Sequence, residues 1–329
     1  MKIIQIITVI FVLLLCIGCN TPDEKLLKLK LVKNIDELSD GSYMISVRDI
    51  KIKGDKIYLS DYEANRVIVL DKNYNVVMQI GRAGSGPGEF NGAGHIQFYK
   101  DSIYVIESTK INVYDKKGLF QRVIFLEPTI WSSSAFVIDT LGAFYFNALD
   151  NKNFPIIKCD ENGNFIEGFG EWWPYSNDKE KRTLNEMDLY LWNNKIIVTT
   201  HGNPVIKIYS LNGKLLDVFS LESNTFVKKR LDFARREHYK NKTEGKITYV
   251  LFWYGLVYKD KLYLLLTDFD KTPGTGQSKI LVVDLENMKV VITYSLQSDG
   301  WYNCFAIKDN NLIAYKSGRY ADLQIFEMK

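Results

Sequence analysis

The chain has 329 residues, 46% hydrophobic and 13% aromatic, with 42 lysines and arginines against 39 aspartates and glutamates for a formal net charge of +3. Such a composition belongs to a folded protein. It also lacks the strong basic bias that nucleic-acid binding needs, so no nucleic-acid partner is expected.

At the N-terminus, Lys2 precedes an apolar run from Ile3 to Ile17 that closes at Gly18-Cys19. A basic residue, a short apolar core and a small residue at its end make a secretory signal rather than a stable membrane span. The ending Leu15-Cys16-Ile17-Gly18-Cys19 looks like a lipobox, although Cys16 stands where leucine is more usual. Residues 1–18 are therefore expected to be a lipoprotein signal peptide, with Cys19 the lipidated first residue and 19–24 a lipidated linker. The alternatives are an ordinary secreted protein and a single anchor helix. Several acyl chains, at about 0.8 kcal/mol per buried methylene, would hold the protein on a membrane of the cell envelope, periplasmic or surface-exposed. With Cys16 removed and Cys19 acylated, Cys159 and Cys304 remain, and both read as buried apolar residues.

Beyond the linker the chain repeats. Second strands read Ile57-Tyr-Leu-Ser, Ile103-Tyr-Val-Ile, Phe144-Tyr-Phe-Asn, Ile196-Ile-Val-Thr, Leu262-Tyr-Leu-Leu and Leu312-Ile-Ala-Tyr. Third strands run from Val67, Ile111, Ile156, Ile206, Ile280 and Leu323, and fourth strands from Val76, Arg122, Phe165, Leu215 and Val290. A period of roughly 40 to 50 residues with four strands per unit is the signature of a propeller, whose blades bury their faces only by stacking on one another. Continuous apolar runs such as Val67-Ile-Val-Leu suit strands covered on both faces. The sixth fourth-strand is missing, and the alternating run Leu26 to Val32 has no other home. It is expected to complete the last blade and so close the ring, removing an exposed sheet edge.

The first repeat, Lys56-Ile-Tyr-Leu-Ser-Asp61, Arg66-Val-Ile-Val-Leu-Asp71 and Asn75-Val-Val-Met-Gln-Ile80 followed by the loop Gly81 to Phe90, resembles an NHL-type β-propeller repeat. In particular it resembles the six-bladed propeller lipoproteins of Gram-negative anaerobes. The resemblance implies an all-β, six-bladed β-propeller over residues 25–329 and is nearly silent on chemistry, since many such lipoproteins have no assigned role. One helical insertion is expected at about 222–248, where Val227, Leu231, Ala234 and His238 form a helical stripe. Lys228, Lys229, Arg230, Arg235 and Arg236 crowd that segment and read as a solvated face, with an anion or partner site as the alternative.

The glycine-rich loop is no phosphate cradle. It lacks a Gly-Lys-Ser/Thr ending and leads through Asn91-Gly-Ala-Gly94 to a strand instead of opening a helix. It is read as a crossing between blades.

In a four-stranded antiparallel blade the first-to-second and third-to-fourth turns share one face, and the second-to-third turns and inter-blade links share the other. The former are short Asp/Asn/Gly turns such as Trp192-Asn-Asn-Lys195, which tight hairpins require. Nearly everything long belongs to the second face, where binding is usually placed. Its candidates are Arg82, Glu89, His95, Trp131, Trp172, Trp173, Tyr175, His201 and Trp301, with Trp172-Trp173 the cluster most expected to be exposed. Trp253 also falls beside these links. Aromatic platforms with polar neighbours suit a glycan, a peptide or a protein partner, although any one tryptophan can equally wedge between blades.

The three histidines His95, His201 and His238, without an H-E-x-x-H or paired cysteines, give no metal-ligand pattern. His201, Glu107 and Asp61 stand at equivalent ends of second strands, where a ring could bind a cation or be satisfied locally. No cofactor and no metal are expected. There is no G-x-S-x-G elbow and no Ser-x-Asp-x-Gly-x-Thr-Trp box, yet fold alone does not exclude catalysis. Two expectations follow: a membrane-anchored binding or interaction module, and, as the alternative, a hydrolase or lyase acting at the channel mouth.

Overall fold

The computed structural model describes residues 25–107, 109–126, 135–148, 153–175, 178–240, 250–267, 277–296, 300–318 and 321–328, with 178–180 and 237–240 described for backbone only. Six sheets, each with four antiparallel strands, form the blades of a propeller, and one of them gains a fifth, parallel strand. Their innermost strands are Val47–Lys53, Ile96–Tyr99, Phe136–Ile138, Met187–Trp192, Phe252–Tyr258 and Trp301–Lys308, in blades 1 to 6. The core lies between blades: Val67, Ile68, Val69 and Leu70 are all buried, as expected of strands covered on both faces.

Turn chemistry holds each blade in register. Asn193 and Asn194, and likewise Lys259 and Asp260, have positive φ, which two-residue hairpins of the right twist require. In the third-to-fourth turns, Asp71, Asp115 and Asp160 each accept two backbone N–H bonds from residues two and four ahead, at 2.8–2.9 Å.

Closure differs in one respect from the single strand expected at Leu26 to Val32. The chain divides at Leu29. Lys30–Ile35 pairs antiparallel with Asp322–Glu327 and completes blade 6. Leu26–Lys28 instead pairs parallel with Lys289–Ser295, as a fifth strand on the outer edge of blade 5. Leu29, 6% exposed, packs in the core between them. One uninterrupted strand has only one partner on each edge, so a chain serving two blades has to break where it passes from one to the next. The N-terminal segment thus pins two blades, not one.

Two helices interrupt the pattern among the described residues, α1 (Asp178–Leu184) and α2 (Thr225–Lys240). The first was not expected from sequence. Helix α2 is capped by Asn224, whose Oδ1 accepts the amides of Phe226 and Val227 at 3.0 and 3.1 Å. Val227, Leu231 and Ala234 are buried as the stripe requires, and the side chain of His238 lies outside the described residues. Lys228, Lys229, Arg235 and Arg236 are exposed, but Arg230 departs from the solvated reading. It is 4% exposed, with Nε donating to Thr267 Oγ1 at 3.2 Å, and burial brings its pKa down to about 10. Its position on the inner side of the helix, one residue before Leu231, outweighs its charge. Cys159 and Cys304 are buried in blades 3 and 6, and neither is in a disulfide.

Candidate functional site at the channel mouth

The innermost strands begin at the long-loop face, and three of them carry the same irregularity. In blade 1, Val47 pairs with Asp61 and Asp49 with Ser60, leaving Arg48 as the extra residue of a bulge. Trp253 is the extra residue between Phe252 and Tyr254 in blade 5, and Asn303 between Tyr302 and Cys304 in blade 6. A bulge re-aims the side chain it releases from the ladder. All three released residues line one cavity of about 270 Å³, together with His95, Arg182, Thr183, Glu186, His201, Val250 and Tyr254. Helix α1 supplies Arg182 and Thr183.

Below the mouth lies a second cavity, of about 370 Å³, lined by all six blades along the channel. His95 and Tyr254 line both cavities and so stand between them. Their rings stack at 6.2 Å with 12° between planes. Asp49, fully buried, ties the partition together: its Oδ1 accepts the Tyr254 hydroxyl at 2.6 Å and its Oδ2 accepts the Ile96 amide at 2.8 Å. Lys51 Nζ lies 3.4 Å and His95 Nδ1 3.5 Å from the same carboxylate. Burial alone would raise the Asp49 pKa, but Lys51 and His95 outweigh it and hold the carboxyl well below its ordinary range. Burial and the Asp49 charge push the Tyr254 phenol far above its ordinary value.

Blade 4 forms the facing wall. His201 Nδ1 is 3.6 Å from Glu186 Oε2, and its Nε2 is 3.7 Å from Asp188 Oδ2. Burial disfavours its charged form, yet the two carboxylates prevail and its pKa is raised. Its ring stacks on Trp253 at 6.2 Å and 20°. The mouth therefore presents a flat aromatic wall, two guanidinium groups, an amide and a histidine clamped between acids.

Of the residues singled out from sequence, the structure brings His95 and His201 to this cavity. Tyr175 stands behind it, its hydroxyl buried against Gly202, where a Cβ would meet it at 2.6 Å. Trp172 and Trp173 are both half-buried, contrary to the exposed platform expected of them. Trp173 lines the cleft between blades 3 and 4, its backbone paired with Asn185 and its ring under Lys207 Nζ at 4.7 Å. Arg82 and Glu89 face each other at 2.9 Å, and Glu89 also accepts the Gly86 amide, so the pair braces its own loop around the buried Phe90. Gly81 has φ 73° and runs so close to the Phe90 ring that a Cβ would collide with it. Trp301 is half-buried and begins the inner strand of blade 6 without lining the cavity. Trp131 and Cys19 lie outside the described residues. Asp61 and Glu107 are satisfied locally, Asp61 by the amides of Ile45 and Ser46 and Glu107 by Asn112. Among the described residues no group of three or more His, Cys, Asp or Glu could hold a metal ion, and no helix is long and apolar enough to cross a membrane. Sequence reasoning missed Arg48 and Asn303, because a bulge is a register shift and leaves no residue-type signature, and missed Arg182 and Glu186, which lie on and just after the unexpected helix α1.

A family described as a 6-bladed beta-propeller, DUF5128, matches residues 39–263. No functionally curated protein matches the chain. Among solved structures, a protein of Bacteroides fragilis NCTC 9343 described as exported is similar at 16% identity, with 92% of this chain and 99% of that one covered and a TM-score of 0.61. A DUF4221-family member from Bacteroides vulgatus ATCC 8482 is similar at 9% identity, 92% and 97% coverage and a TM-score of 0.59. Virginiamycin B lyase from Staphylococcus aureus is similar at 13% identity, 92% and 100% coverage and a TM-score of 0.53. At these identities the likeness is one of fold.

Proposed function

The chain belongs to that family of six-bladed propellers, and on its scaffold we propose an extracytoplasmic binding module whose channel mouth takes a ring-sized unit of a glycan or a side chain of a peptide or protein partner. The observation that carries this reading is the convergence of the three bulge residues Arg48, Trp253 and Asn303, from three blades, on one cavity. At about 270 Å³ it falls just below the roughly 300–1,000 Å³ that buries a whole drug-sized ligand, so it suits one unit of a larger partner. An apolar face edged by hydrogen-bonding groups is what a sugar ring or an amphipathic side chain offers in return.

At the partition the Asp49 carboxyl is held well below its ordinary range and the Tyr254 phenol far above its own, so neither is matched to proton transfer near neutral pH, and His201 is engaged by Glu186 and Asp188. The lipobox-like ending at Cys19, the NHL-like order of the first repeat and the exported protein of similar fold support a lipid-anchored place in the cell envelope. A glycan and peptide array probed with the purified chain, its Trp253→Ala variant and a Trp172→Ala/Trp173→Ala variant tests the site. Hits lost with Trp253→Ala and kept by the double variant fit the reading, and hits indifferent to Trp253 contradict it.

A further inference from the structure

We infer that the unit held in this mouth is anionic, a hexuronic acid residue of an acidic glycan, with its carboxylate on Arg48 and its ring on Trp253; the inference rests on the mouth being the binding site.

The charges at the mouth are unevenly matched. Asp49 is engaged by Lys51, His95 and Tyr254, and Glu186 and Asp188 are engaged by His201. Arg48 has no such counterpart. Its guanidinium lies over the Tyr62 ring at 5.1 Å, its Nε is buried without a hydrogen-bond partner, and among the described residues no carboxylate reaches ion-pair distance of it. A partly buried guanidinium with an unused donor is costly unless an anion completes it, and its planar fork matches a carboxylate bidentately. Arg182 adds a second positive charge to the same lining.

The neighbours decide what carries the carboxylate. Trp253 is half-exposed and backed by the stacked His201, a wall for a pyranose ring that an aspartate or glutamate side chain would leave uncovered. Asn303 accepts from Ser317 through Oδ1 at 3.2 Å, which leaves its Nδ2 to donate to a ring hydroxyl. Glu186 on the lining accepts from hydroxyls and repels a dianionic phosphate more strongly than a monoanionic carboxylate.

The test is calorimetric titration of the full chain in mild detergent with galacturonic and glucuronic acid oligomers. Neutral galactose and glucose oligomers of equal length, a sugar 6-phosphate and a glutamate-terminated peptide serve as comparisons. Uronides are expected to bind at least tenfold more tightly than the neutral oligomers, and Arg48→Met to bring the two within about twofold. Arg48→Lys, which keeps charge and loses the fork, should fall between, and it serves if Arg48→Met does not fold. Equal binding of neutral and acidic sugars, a preference that survives Arg48→Met, or tighter binding of the phosphate or the peptide would each overturn the assignment. Equal binding of neutral and acidic oligomers that Trp253→Ala abolishes would leave the mouth as the binding site while removing the uronic acid from it. Absence of any uronide binding likewise overturns the assignment.

Discussion

Arg48 and Trp253 occupy one and the same structural position in two different blades: each is the unpaired residue of a bulge three residues past the aligned tyrosines Tyr58 and Tyr263 of the neighbouring strand. Asn303 repeats the arrangement in blade 6. Blades 5, 6 and 1 are consecutive around the closed ring, so their bulges open the same sector of the mouth. Blade 4, whose inner strand pairs without a bulge, faces them with Glu186, Asp188 and His201.

The floor of the mouth depends on Asp49. Replacing it by asparagine leaves Lys51 and His95 around a neutral group, and the expected cost is about 3 kcal/mol. Tyr254→Phe removes one hydrogen bond to a charged acceptor and should cost about 1.5 kcal/mol. Urea unfolding of both variants checks the order, and a larger loss from Tyr254→Phe would mean that the phenol hydroxyl, rather than the charge on the carboxylate, holds the partition.

His201 makes stability depend on pH. Its folded pKa is raised above the unfolded value, so its contribution is complete below that value, near 6.5, and is lost as pH rises through the folded pKa. The stability advantage of the native chain over His201→Gln should therefore shrink as pH rises from below about 6.5 through the folded pKa. A constant difference across that range, measured by denaturant titration, would remove the clamp between Glu186 and Asp188 as its cause.

The divided N-terminal segment predicts a graded response to truncation. A chain starting at residue 29 loses only the parallel strand Leu26–Lys28 on blade 5, and should fold with a modest fall in midpoint. A chain starting at residue 36 also loses Lys30–Ile35, leaves blade 6 with three strands and should not give a cooperative unfolding transition. Equal behaviour of the two would show that closure does not reside in the antiparallel pair.

The fold was legible because propeller blades announce themselves locally. Buried second and third strands read as continuous apolar runs, and their hairpins need Asn, Asp or Gly at particular positions, as Asn193 and Asp160 show. Closure was legible from the missing last strand. The break at Leu29 was not, since Leu26 to Val32 alternates evenly and only the two partner edges reveal that it serves two blades. The site was legible in part. His201 stands at a strand end that can be counted off the repeat, and His95 sits on a link. Trp253 was one of several tryptophans beside the links, with nothing in its neighbours to separate it from Trp172 or Trp173. Arg48 and Asn303 share no residue type with it; what they share is a register shift, visible only when both strands of the pair are in place.

Hydrogen exchange followed by mass spectrometry, with and without a ligand taken from the array, tests the site most directly. The mouth predicts slower exchange in the segments around residues 46–49, 250–254 and 301–304 together, from three blades at once, with the loop at 82–89 unchanged. Protection confined to 82–89 or to 171–175, with those three segments unaffected, would contradict it.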